Sequence, residues 1–198
     1  MESSHLRSLI AQSILASQPD TLAELLVDAQ PEVLVAEGEH PSPTWVAAAF
    51  GAPDCLSQLL EASADSALER DTQGMTPATI AAHRGHAACI TLLARAGAAE
   101  AHDRSGQTPA HYAAAAGHLN VLQALGADAP HTIEGESSLG LTVMDLAWNH
   151  GHERLVDWLK AQGQQDVAEK WSCGCSPGEI CGPEAGTAKS VPPQNAID

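Results

Sequence analysis

The chain is poor in aromatic residues and in cations. Four Trp, one Tyr and one Phe occur in 198 residues, so a core has to be built mainly from Ala, Leu, Val and Ile. Nine Lys and Arg stand against 25 Asp and Glu, a formal net charge of −16. That balance speaks against binding nucleic-acid phosphates or anionic membrane surfaces, since both need positive charge. No stretch approaches the roughly 18 apolar residues of a membrane span. Residues 6–16 do not read as a secretory signal, because Arg7, Gln12 and Ser13 interrupt them. The five Cys make no paired framework. Cys55 and Cys89 stand alone, while Cys173, Cys175 and Cys181 cluster near the end. Such a set suits a reducing, intracellular location, cytoplasmic or nuclear. Phosphate-loop, H-E-x-x-H and G-x-S-x-G motifs are missing. The chain is therefore expected not to be an enzyme and to need no cofactor.

The charge that is present is uneven. Residues 1–69 carry a net −10, residues 70–131 a net of zero, and residues 132–198 a net −6. The neutral centre is also where the sequence repeats itself. Asp71–Gly97 and the stretch from Asp103 share D-x-x-G-x-T-P-A, then A-A, then G-H, then aliphatic pairs and G-A. Residues 140–159 keep G-x-T, L-A, G-H and L-V-x-x-L in register, and residues 42–64 carry S-P-T, A-A-A and aliphatic pairs. Pro43, Pro77, Pro109 and Val143 are equivalent, at spacings of 34, 32 and 34. Residues 18–28 match 52–62 at an offset of 34, with Pro19, Asp20, Leu22, Leu25 and Leu26 answering Pro53, Asp54, Leu56, Leu59 and Leu60.

Each element of the motif has a physical role. Gly74, Gly106 and Gly140 allow a tight turn. Thr76, Thr108 and Thr142 can cap a first helix, and Pro77 and Pro109 fit its first turn. Ala81-Ala82 and Ala113-Ala114 permit close helix approach. Gly85, Gly117 and Gly151 end the first helix. Aliphatics such as Ile90, Leu93 and Ala94 form the buried stripe of a second helix. A unit this small buries its apolar face only against its neighbours.

This constellation resembles the ankyrin repeat. The resemblance implies an all-α solenoid of helix-turn-helix units. Residues 1–36 would be a degenerate N-terminal capping repeat, and 37–70 and 71–102 two repeats. Residues 103–136 would be a third, with a long acidic loop and a second helix cut about one turn short by Gly126. Residues 137–170 would be a C-terminal capping repeat, where Trp148 replaces Ala. Residues 171–198, rich in Gly, Pro and Cys, are expected to be a flexible, disordered tail.

The resemblance also implies roles for the histidines. His86, His118 and His152 of G-H, and His111 of T-P-x-H, would be structural hydrogen-bonding groups. His150-Gly151-His152-Glu153 looks like a metal string, yet most of it belongs to the repeat. Cys173, Cys175 and Cys181 lack a fourth zinc ligand and regular spacing. Cys55 and Cys89 read as small core residues.

Family members bind proteins through an extended concave face of hairpin tips and first helices. The matching positions here are Phe50, Thr72, Gln73, Met75, His83, Arg84, Arg104, Ser105, Gln107, Leu139, Leu141, Asn149 and His150. Pro41, Trp45, Ala49, Ala115, Ala116 and Ser138 fall there or beside it. The expected function is non-catalytic recognition of one protein partner, as a monomeric adaptor, inhibitor or assembly factor. Two other readings stay open: a zinc- or redox-responsive protein acting through the Cys cluster, and an acidic binder of basic proteins.

Overall fold

The computed structural model describes residues 3–27, 41–128, 133 and 135–163. Ten α-helices stand among them, joined in antiparallel pairs: α1 (Ser3–Leu15) with α2 (Pro19–Val27), α3 (Pro43–Phe50) with α4 (Pro53–Ala62), α5 (Pro77–His83) with α6 (Ala87–Arg95), α7 (Pro109–Ala116) with α8 (Leu119–Asp128), and α9 (Val143–Asn149) with α10 (Glu153–Ala161). A short 3₁₀ turn, Ala64–Leu68, follows α4. First helices form one row, α1 on α3 on α5 on α7 on α9. Second helices form another, α2 on α4 on α6 on α8. The only β pairing among the described residues is an isolated bridge between Glu136 and Thr142.

The first row is thin because alanine lines it. Ala47, Ala48, Ala81, Ala82, Ala113, Ala114 and Ala147 are all fully buried between neighbours. Larger side chains fill the space towards the second row: Leu56, Leu59, Ile80, Ile90, Leu93, Leu122, Leu125, Leu155 and Leu159. Each such side chain contributes about 1.5–3 kcal/mol when buried. Cys55 and Cys89 belong to this core as free thiols. Burial pushes the Cys89 pKa up to about 11. Burial, with Asp54 nearby, raises that of Cys55.

Every first helix after α1 starts at a cap that the sequence supplies. Ser42 Oγ accepts the Trp45 N–H at 3.3 Å, and Thr76 Oγ1 accepts the Thr79 N–H at 3.3 Å. Thr142 Oγ1 accepts the Asp145 N–H at 3.1 Å, and Asp145 Oδ2 accepts the Thr142 N–H at 2.8 Å. Proline occupies the first turn of α3, α5 and α7.

One expectation is overturned. The second helix of the third repeat is not shortened: α8 runs ten residues, straight through Gly126. The glycine serves packing rather than termination. A Cβ there would stand 3.1 Å from Ile133 Cδ1 and 3.5 Å from Trp158 Cη2. Ile133 and the Trp158 ring pack over residue 126, and a Cβ there would press on the end of the Ile133 side chain. The expected tail, 171–198, lies outside the described residues, as do His40, His131 and the Cys173, Cys175 and Cys181 cluster.

Candidate functional site

The site is built from joints that recur along the stack. At each, the histidine of one repeat sits on the glycine that ends the first helix of the preceding repeat. A Cβ on Gly51, Gly85 or Gly117 would lie 2.5, 2.8 or 2.7 Å from the ring of His86, His118 or His152 respectively. Those glycines also hold φ of +66°, +83° and +76°, a region that other residues resist. The ring then reaches the backbone beside it. His86 Nε2 meets the Ala49 carbonyl at 3.1 Å, His118 Nε2 the His83 carbonyl at 3.0 Å, and His152 Nε2 the Ala115 carbonyl at 3.0 Å. A carbonyl only accepts, so Nε2–H donates in all three. Asn120 adds a bond from Nδ2–H to the Gly85 carbonyl at 3.2 Å.

His111 makes a different joint. Its Nδ1 lies 3.3 Å from the Thr108 N–H nitrogen and 2.8 Å from the Thr108 hydroxyl. Its Nε2 lies 3.0 Å from the Leu141 carbonyl of the next tip. Nε2 therefore carries the proton, and Nδ1 accepts. The ring is fully buried. Burial lowers its pKa below the ordinary imidazole value, against the raising effect of the Leu141 bond and of Asp103 and Asp145.

The tips are closed by the aspartate of D-x-x-G. Asp71 Oδ1 accepts the N–H groups of Gln73 and Met75, and Asp103 Oδ1 those of Ser105 and Gln107. Tyr112 donates its hydroxyl to Asp103 Oδ2 at 2.7 Å. Burial works against the Asp103 carboxylate. Hydrogen bonds from Tyr112, Ser105 and the Gln107 and Ser105 backbone outweigh it and hold the group below its usual range. Burial and the same bond push the tyrosine pKa up. In the last tip Ser137 stands in for the aspartate, its Oγ accepting the Leu141 N–H at 3.3 Å. Successive tips also touch, since the Ser138 N–H donates to the Ser105 carbonyl at 3.1 Å.

Tip closure corrects part of the sequence-derived site. Met75 is 5% exposed and Gln107 6%, so neither is open to a partner. Each is the residue whose N–H and C=O complete the turn. The Met75 carbonyl accepts the Asp71 N–H at 3.0 Å and the Gln107 carbonyl the Asp103 N–H at 3.0 Å, and both residues are buried. Leu141, at the same place in the last tip, is half-buried.

The remaining positions are open to differing degrees. Thr72, Gln73, His83, Arg84, Arg104 and His150 are exposed, and Ser105 and Asn149 are half-buried. Phe50 is 56% exposed and Leu139 75%. Two of these side chains meet across a repeat boundary. The Arg84 guanidinium lies over the Phe50 ring, 5.5 Å from its centroid, and donates to the Ala49 carbonyl at 3.1 Å. His83 stands edge-on to Tyr112 at 6.0 Å. Arg104 lays its stem against Gly74, where a Cβ would be 2.8 Å from Arg104 Cγ. Trp45, beside the face, is half-buried and packs on the core. Ala115 and Ala116 are small, half-buried positions between these groups.

Burial, with His118 and Arg84 nearby, lowers the His83 pKa. Burial and His152 do the same for His150, which stacks on His152 at 6.2 Å. Among the described residues no group of three His, Cys, Asp or Glu could hold a metal ion. None of the described helices is long and apolar enough to cross a membrane.

A family model described as ankyrin repeats, in three copies, matches residues 13–104 and 44–134, together more than half of the chain. Comparison with curated proteins finds no match.

Proposed function

The chain belongs to the ankyrin-repeat family, whose members are generally protein-interaction modules, and on that premise we propose that it binds one partner protein through its tips and first helices. The observation that carries this reading is the exposed set Phe50, Arg84, His83, Arg104 and Leu139. Large apolar and cationic side chains are held out on a backbone that the hydrogen-bonded joints fix in place. Aromatic and Arg side chains are the usual anchors of protein interfaces. A pre-formed face gives up little entropy on binding. The residues assigned to contact are Phe50, Thr72, Gln73, His83, Arg84, Arg104, Ser105, Leu139, Asn149 and His150. No catalytic group is assigned, and the chain acts inside the cell as a single copy.

Partner capture tests this. Wild-type protein, the Phe50→Ala/Arg104→Ala variant and an Asp54→Ala/Asp157→Ala variant on the second-helix row would be compared by quantitative mass spectrometry. The captured partner should be lost with the first variant and kept with the second. The reverse pattern would point to the acidic row and to a basic partner, and would end the present reading.

A further inference from the structure

We infer that the partner segment received by this face is acidic: an extended peptide whose carboxylates lie against Arg84 and Arg104, beside the Phe50 ring. The inference rests on the reading of the face as the binding surface and adds the chemistry of what it takes.

The argument is one of charge segregation. The chain is strongly acidic as a whole, yet most exposed acids among the described residues sit elsewhere. Asp20 and Glu24 lie on α2, Asp54 and Glu61 on α4, and Glu153 and Asp157 on α10, all in second helices. First helices α3, α5, α7 and α9 contain a single carboxylate, Asp145, which is buried at the cap of α9. The tip carboxylates Asp71 and Asp103 turn inward to backbone N–H groups. On the first helices and the two central tips the exposed formal charges are therefore arginines, while the last tip carries the exposed Glu136 at its base. Lowered pKa values leave His83 and His150 neutral near pH 7.

The two arginines are also held ready for carboxylates. A guanidinium has five N–H donors in a fixed fork that matches a carboxylate. The Ala49 carbonyl occupies one nitrogen of Arg84, and Phe50 supports its flat face. Arg104 rests its stem and Nε against Gly74 and is exposed as a residue. Among the described residues the ion pair in evidence for the central arginines is Arg95 with Asp128, at 4.0 Å on the second-helix row. Arg84 and Arg104 are thus positive groups on the central part of the face, where the tip carboxylates turn inward. Ala115 and Ala116, being small, leave room for a peptide to pass along α7. A basic segment would meet the opposite arrangement and be repelled here.

A random peptide library displayed on phage, panned on the immobilised full-length protein, tests the proposal. Enriched sequences would be synthesised and their affinity measured by fluorescence anisotropy. Enriched peptides should carry Asp and Glu. Their affinity should fall by about tenfold or more with Arg84→Glu/Arg104→Glu. The same peptides with each acid replaced by Lys should bind that variant better than the wild type. Thermal unfolding of the variant checks that these exposed substitutions leave the fold intact. Acidic peptides that bind the variant as tightly as the wild type overturn the inference. So do enriched peptides without acids, or a library that yields no binder. Non-acidic peptides that nevertheless weaken with Phe50→Ala would refute the acidic ligand and leave the face as a binding surface. Peptides indifferent to all these substitutions would sink both readings.

Discussion

The joints at the centre of the stack and the joint at its N-terminal end solve one geometric problem differently. At Gly85 the chain ends a first helix with φ of +83°, and the His118 ring lies against the open side of that residue. In the first helix pair the equivalent residue is Ser17, which holds φ of +51° although it has a Cβ. The backbone pattern is shared. The Ser17 N–H donates to the Ile14 carbonyl and the Gln18 N–H to that of Ser13, just as Gly85 donates to Ala82 and His86 to Ala81. What differs is the residue in register from the next repeat. Gly51 pairs with His86 at an offset of 35. The same offset from Ser17 reaches Ala52, which has no ring to place there. Glycine and histidine are therefore one device shared between neighbours. At Ser17, where the histidine is missing, a side chain stands in the glycine's place, whereas Gly151, also without a ring on it, keeps the glycine with φ of +72°.

The largest expected effect comes from breaking the central form of the joint. Gly85→Ala adds a Cβ in a left-handed backbone and sets it 2.8 Å from the His118 ring. A left-handed non-Gly residue costs about 1–2 kcal/mol, and overpacking about 1–3 kcal/mol more. Urea unfolding should show a loss of about 2–4 kcal/mol, whereas Ser17→Ala should change stability by less than about 0.5 kcal/mol. His118→Ala alone forfeits one hydrogen bond, about 1 kcal/mol. In its presence Gly85→Ala should cost less than in its absence, because the clash is gone. Strict additivity of the two would show that the ring and the glycine are not coupled.

Much of this architecture was legible from residue type and spacing. The Thr caps, the helix-ending glycines and the buried alanine pairs each announce a local conformation, and each recurs near 33 residues. Three features were not legible, for separate reasons. Met75 and Gln107 hold variable positions, and nothing in their identity says that tip closure buries them. Gly126 reads as a helix stop, but the helix runs through it and Ile133, seven residues on, packs against it. The positive φ of Ser17 is hidden because serine carries no such signature; the offset of 34 to Gly51 was the signal that could have found it. In the candidate site, Phe50 and Arg84 were identified singly. Their contact across the repeat boundary needed the three-dimensional register.

The caps allow a second contrast, of intermediate size. The same position is Thr79 in one repeat, His111 in the next and Asp145 in the last. Of the three, His111 is the imidazole, and it joins its own cap to the following tip. Its folded pKa is lowered, so the unfolded chain binds the proton more readily. Stability should be full above the unfolded value of about 6.5 and fall as the pH drops below it. His83 and His150, also lowered, add to the same slope. His111→Thr should keep a cap like that of Thr79 and cost about 1–3 kcal/mol at pH 7 through lost volume and the lost Leu141 bond. Its unfolding midpoint should vary less between pH 7 and pH 5 than that of the wild type. An unchanged slope would mean that the loss arises elsewhere.

The smallest effect returns to the N-terminal joint and is the sharpest test of the shared device. Ser17→Gly relieves a left-handed serine and should stabilise the first helix pair by about 0.5–1 kcal/mol. Terminal units of a stack fray first. The gain should therefore appear in hydrogen exchange of the α1 and α2 amides, as protection rising roughly two- to fivefold at about 1.4 kcal/mol per decade. Ala52→His should act in opposite directions in the two backgrounds. With Ser17 present, the new ring meets a Cβ, as it would at Gly51 or Gly117, and protection should fall. With Ser17→Gly, the ring gains the open surface and a carbonyl within reach, as His86 has at Ala49, and protection should rise above that of Ser17→Gly alone. The sign reversal, rather than either single value, separates a coupled joint from two independent preferences. If Ala52→His lowers protection equally in both backgrounds, the first pair differs from the central repeats in more than its missing ring.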